Sequence, residues 1–197
     1  MTRLLTFLSA LTLTCCCALP IWAAEMGDDG LHKTAWMRDT FKDLTEDLEE
    51  ATAEGKRLML IFEQRGCIYC AKMHKEIFPR PEIADYITEN YFVVQLNLHG
   101  DTEVTDFDGE SLSEKQMARK WGLLFTPTIM FLPPEVKPDL SAAEASVATM
   151  PGAFGAQTTY DLLVWVNEER YLLEDGEDFQ RYHARKIEER NSSAAQK

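Results

Sequence analysis

Apolar positions in this chain fall into short unbroken runs and into spaced stripes. Leu58–Phe62 is wholly apolar, the pattern of a strand covered on both faces. Tyr91–Leu98 and Thr128–Leu132 read as two further strands, and Ser146–Met150 as an edge strand. The stripes predict helices. Residues 34–54 carry Ala35, Trp36, Phe41, Leu44 and Leu48 near the helical period, and Gly55 closes the segment. A second helix is predicted from Cys67 to Phe78, opened after Gly66 and stopped by Pro79 and Pro81. Pro81–Asn90, Leu112–Trp121 and Gln157–Leu173 follow as helical stretches. From Asp175 a charged helical stretch carries Phe179, Tyr182 and Ile187, and the polar end beyond it reads as disordered.

This order has a strand, a helix and a parallel strand, then a helix, an antiparallel pair and a closing helix. It predicts an α/β domain: a central mixed sheet flanked by helices, with an N-terminal helix and a C-terminal helical tail. The divisions are 1–24, 25–175 and 176–197, with no internal repeat. Residues 99–111 are acidic, turn-rich and longer than an ordinary connection. Asp101, Asp106, Asp108 and Glu110 lack the calcium-loop spacing, so this insert reads as a solvated acidic loop.

Residues 1–24 have one charge, Arg3, then an apolar stretch from Leu4 to Ile21 and small residues at Ala23 and Ala24. That is a secretory signal peptide, with an uncleaved anchor as its alternative, and it implies a periplasmic location. Its removal takes Cys15, Cys16 and Cys17 and leaves Cys67 and Cys70. The net charge of the full chain is −13, which argues against nucleic acid and against an anionic membrane surface. It favours a soluble protein, taken here as a monomer.

Two cysteines with two residues between them close too short a loop to serve as a structural staple. At a helix start they form a working dithiol instead. Cys67, beside the unpaired N–H groups of the first turn, is assigned as nucleophile, and Cys70 as the resolving thiol. Ile68 and Tyr69 bring no positive charge, which leans toward a reductant. Arg65, Lys72, Lys75 and Arg80 lean the other way, with Arg65 placed to favour the Cys67 thiolate. Glu63, Arg65 and Tyr69 are the auxiliary candidates. Thr126-Pro127 precedes the third strand, where a cis-proline frees neighbouring backbone groups to pair with an extended substrate. Cys67, Cys70 and His74 could in principle hold a metal, but helical spacing sets His74 about two turns from Cys67. His74 is expected on the helix surface, with no metal and no cofactor beyond the Cys67–Cys70 pair.

The segments MLIFEQRGCIYCAKMHKEIF and FTPTIMFL resemble the periplasmic thioredoxin-like proteins, within the thioredoxin superfamily. Phe62-Glu63-Gln64, residues 104–109 and residues 150–154 are similar to the SoxW-like thioredoxins of bacterial Sox sulfur oxidation. The resemblance covers about residues 34–174. It implies a thioredoxin-like fold and a disulfide reductase. The implied electron donor is a membrane thiol transporter of the CcdA/DsbD type. The implied acceptors are periplasmic disulfides, including a cysteine-bearing sulfur carrier. A disulfide oxidase or isomerase, or a metal-binding CxxC module, remains the alternative. Two departures from ordinary thioredoxin stand out. Gly66 replaces the usual Trp before the first Cys, and Ile61 replaces the buried Asp, leaving Glu63 as the nearest acid for the proton of Cys70.

Overall fold

The computed structural model describes residues 24–173 and 177–195. The predicted leader lies outside the described residues, save Ala24. Among the described residues, no helix is long and apolar enough to cross a membrane.

The centre of the fold is β4 (Arg57–Glu63), the apolar run read from sequence. It pairs in parallel with β5 (Tyr91–Asn97), Arg57 against Tyr91 through Glu63 against Asn97. On its other side it pairs antiparallel with β8 (Thr128–Phe131). β3 (Met37–Arg38) and β9 (Ala148–Pro151) form the edges, so the sheet order is β3-β5-β4-β8-β9. Alternate residues of β4 feed two cores. Met59 and Ile61 face a core built with Phe78, Ile83, Leu162 and Trp165. Leu58, Leu60 and Phe62 face one built with Leu44, Leu48, Met117 and Trp121.

The first of these cores is covered by the turn that continues α2 (Ile68–Lys72), by α3 (Pro81–Asn90) and by α6 (Ala156–Asn167). α2 passes into a π-helical turn over Met73–Ile77, closed by the Phe78 N–H on the Met73 carbonyl at 2.8 Å. The second core is covered by α1 (Leu44–Ala53), α4 (Glu114–Lys120) and α5 (Ala142–Ala145). A small hairpin, β1 (Glu25–Met26) with β2 (His32–Lys33), precedes the sheet.

Several expected boundaries move. Residues 34–43 are not helical: Met37 and Arg38 pair with Val93 and Val94 at the sheet edge. Lys42 takes a left-handed φ of 60°, and Asp43 then caps α1 by accepting from the Thr45 and Glu46 N–H groups. The acidic insert is a folded hairpin, β6 (Glu103–Thr105) with β7 (Ser111–Ser113), rather than a solvated loop. The long stripe after Gln157 breaks at Asn167 and resumes as a 3-10 turn over Arg170–Leu172. α7 (Phe179–Ala195) lies against α6, with Tyr182 buried in the first core. Arg190 donates twice to buried Asp161, at 2.8 Å each, and His183 Nδ1 pairs with the same carboxylate at 2.6 Å.

Candidate active site

Gly66, at φ +73°, turns the chain out of β4 and into α2. That backbone conformation favours glycine over the bulky aromatic side chain. Cys67 is the N-cap of α2, and its Sγ accepts the Cys70 N–H at 3.0 Å. Cys67 and Cys70 are joined as a disulfide, their Cα atoms 5.2 Å apart. Cys70 is fully buried, whereas Ile68 and Tyr69 between the two are 74% and 58% exposed. Any attacking sulfur therefore meets Cys67 first.

Thr126-Pro127 comes to this point from the start of β8, with a cis peptide bond between them. The Thr126 hydroxyl donates to Cys67 Sγ at 3.2 Å, and the Thr126 carbonyl oxygen lies 3.5 Å from the same sulfur. The Pro127 carbonyl accepts the Gly152 N–H at 2.7 Å. Leu124 and Phe125, just before, are largely exposed. With Ile68 and Tyr69 in the first turn of α2, they supply exposed side chains on the two segments that meet at the disulfide.

The remaining sequence candidates separate. Arg65 is exposed and reaches the hairpin, its Nη2 3.5 Å from the Asp28 carbonyl and its side chain against Gly30. Glu63 lies two residues after Ile61 and so shares its face, beneath α2. It is fully buried, with Oε2 accepting from Gln95 Nε2 at 2.6 Å and Oε1 2.9 Å from His74 Nε2. His74 corrects the sequence reading: it is 2% exposed, not a surface histidine. The helical period puts it on the buried face with Cys70, Met73 and Ile77.

His32 was not anticipated. Its ring stacks on His74, centroids 4.6 Å apart and planes 11° from parallel. Burial pulls the His32 pKa below its ordinary value, and His74 adds to that. His32, Glu63 and His74 hold their ligand atoms within 4.8 Å of one another. The nitrogen lone pairs of stacked rings lie in near-parallel planes, so they do not converge on one ion at the short distances a metal needs. Nothing local in the sequence links His32 or Gln95 to the dithiol; only the pairing of distant segments does.

Residues 44–138 match the family model described as a thioredoxin-like domain, a span that holds Cys67, Cys70, Thr126 and Pro127. The fold is thioredoxin-like. A thioredoxin-fold protein from Helicobacter pylori is 21% identical, with a TM-score of 0.52 over 70% of this chain and 86% of that one. A thioredoxin from Thermus thermophilus is also 21% identical, with a TM-score of 0.49 over 63% and 83%. The C-terminal domain of DsbD from Neisseria meningitidis, in its oxidised form, is 14% identical, with a TM-score of 0.43 over 67% and 97%. No curated protein sequence matches the chain. The chain thus has the fold of the thiol–disulfide oxidoreductases, with a CxxC pair at the helix start.

Proposed function

We propose that this protein is a periplasmic thiol–disulfide oxidoreductase acting as a disulfide reductase. Cys67 attacks a substrate disulfide, and Cys70 resolves the mixed disulfide. The observation that carries this reading is the asymmetry of the pair. Cys67 sits at the helix cap with two donors on its sulfur, and Cys70 is sealed behind it. Thr126 and Pro127 flank the sulfur, where an extended substrate segment would run. Tyr69 and the exposed apolar residues near it supply contact area for a protein partner. The dithiol is itself the redox group, with no added cofactor or metal.

The direction rests on the absence of charge between the cysteines. Ile68 and Tyr69 offer nothing that would strongly stabilise a thiolate, as an oxidant requires. In its most specific form, a monomer receives electrons from a membrane thiol transporter of the CcdA/DsbD type. It passes them to a cysteine-bearing protein such as a Sox sulfur carrier. A leader at residues 1–24 supports export to the compartment where such disulfides persist.

Trapping tests the reading. Cys70→Ser is expected to hold its protein partner as a stable mixed disulfide, and Cys67→Ser to lose insulin-disulfide reduction. The opposite pattern would reverse the two roles, and full activity in both variants would end the proposal.

A further inference from the structure

We propose that Glu63, His74 and Cys70 form a buried proton relay: Glu63 fixes the tautomer of His74, and His74 Nδ1 takes the proton of the Cys70 thiol and supplies one on reduction. This rests on the thiol–disulfide reading above and adds the group that handles its proton.

The tautomer follows from the hydrogen bonds. Lys33 Nζ, which can only donate, lies 2.6 Å from Gln95 Oε1. Gln95 Nε2 therefore faces the other way, donating to the His32 carbonyl at 2.8 Å and to Glu63 Oε2 at 2.6 Å. Taken as a carboxylate, Glu63 has Oε1 left to accept, and His74 Nε2 stands 2.9 Å away as the donor. With its proton on Nε2, the neutral ring of His74 keeps a lone pair on Nδ1. Among the described residues that atom is buried and has no partner. A buried acceptor left unpaired calls for a reason.

Cys70 supplies one. It lies four residues before His74, both side chains are buried, and helical side chains lean toward the preceding turn. In the disulfide, Cys70 sulfur carries no hydrogen and can donate nothing to Nδ1. Reduction creates an S–H one turn from that lone pair. In the relay, the S–H of reduced Cys70 is the partner that this nitrogen lacks in the disulfide form. The ring is held in place by stacking on His32, by the edge contact with Phe78 at 5.1 Å, and by Trp36 beyond. The charged or titratable groups around it are Glu63 from β4, His32 and Lys33 from β2, and Lys75 beside it in the chain.

In the mixed disulfide, Cys70 gives its proton to Nδ1 and its thiolate attacks Cys67 Sγ. The Cys67–Cys70 bond forms, the bond from Cys67 to substrate breaks, and the electron pair leaves with the substrate sulfur, which takes a proton from water. The imidazolium then returns its proton to water, so His74 is neutral again in the disulfide form. When a dithiol donor reduces the pair again, Cys70 leaves as thiolate and takes up, through Nδ1, a proton given up by the donor thiol.

Two measurements on the full chain test this. In wild type with nitrogen-15-labelled histidine, NMR of the oxidised protein should show His74 neutral with the proton on Nε2. The Nδ1 resonance should move on reduction. A proton on Nδ1 in the oxidised protein, or no response to reduction, overturns the proposal without any variant. In the second, the reduced protein reacts with 5,5′-dithiobis(2-nitrobenzoate), which releases one thiolate when Cys67 attacks and another when Cys70 resolves. His74→Gln and Glu63→Gln should slow the second release about tenfold or more and leave the first within about twofold. The wild-type second release should also depend less steeply on pH than that of His74→Gln. Equal slowing of both releases, or of neither, overturns the relay. If wild type releases no thiolate at all, the thiol–disulfide reading itself has failed.

Discussion

Trp121 donates its indole N–H to Asp106 across 2.7 Å, and both side chains are buried. The other oxygen of Asp106 accepts the Phe107 and Ala142 N–H groups at 2.8 Å each. One carboxylate thereby ties the acidic insert to the end of α4 and the start of α5. Lys120 sits over the same group, 3.0 Å from Asp106, 2.5 Å from Asp108 and 3.1 Å from Glu110. Burial pulls the Lys120 pKa down, but the hydrogen bonds to Asp108, Asp106 and Glu110 outweigh it and raise the pKa above its ordinary value. An ammonium already occupies the place where calcium would be sought. Asp106→Ala would strand an indole N–H, two backbone donors and part of the Lys120 pairing. The expected loss is about 3 kcal/mol in urea unfolding. A loss below about 1 kcal/mol would mean the insert is not anchored through this residue.

Asp47 makes the opposite kind of contribution. It lies buried in the first turns of α1, with one hydrogen bond from the Thr40 hydroxyl at 3.2 Å. Burial raises its pKa to about 6 from 3.8, Asp43, Glu50 and Glu46 push the same way, and Thr40 only partly opposes them. The folded carboxyl thus binds its proton more tightly than the unfolded one. Stability from this group falls as pH rises from about 4 to about 6 and stays lower above that. Asp47→Asn removes the penalty. The full difference is worth at most about 3 kcal/mol. Partial solvent screening reduces it to a gain of about 1–2 kcal/mol at pH 8, shrinking toward zero near pH 4. Urea unfolding of both proteins across that range decides it, and a gain that does not vary with pH would exclude the titration of Asp47 as its source.

The parts of the fold legible in the sequence are those whose pattern is local. Leu58–Phe62 is apolar without interruption because β4 is covered on both sides. Pro81 opens α3 and the helix runs to Asn90, where the sequence placed it. Trp36 misled because its spacing to Phe41 and Leu44 suits a helix, while pairing of the next residues, Met37 and Arg38, with β5, far along the chain, holds the segment extended. His74 misled for another reason. Its position on the buried face of the helix was readable, but a histidine there suggests surface until its partner is known. That partner, Glu63, lies on another element, and His32 and Gln95 join them only through the packing of β2 on β5. The dithiol was legible because its two cysteines are close in sequence; the groups around it are not.

The redox potential follows from what faces Cys67. Its sulfur has two neutral donors, the Cys70 N–H and the Thr126 hydroxyl. Arg65, the cation two residues before Cys67, is directed at the hairpin, its Nη2 3.5 Å from the Asp28 carbonyl. Neutral donors stabilise a thiolate less than a cation does. The potential is therefore expected nearer to about −270 mV, that of thioredoxin, than to about −120 mV, that of DsbA. Those poles differ by about 7 kcal/mol, so equilibration against glutathione separates them. Thr126→Val removes one donor from the reduced state. A hydrogen bond to a charged group is worth about 1.5 kcal/mol, so the potential should fall by about 30 mV. Arg65→Ala should change it by less than about 10 mV, because that guanidinium is directed at the hairpin. A larger fall for Arg65→Ala than for Thr126→Val would give the cation the role assigned here to the hydroxyl. A wild-type value above about −160 mV would make the protein a dithiol oxidant, and the reductase direction would be wrong.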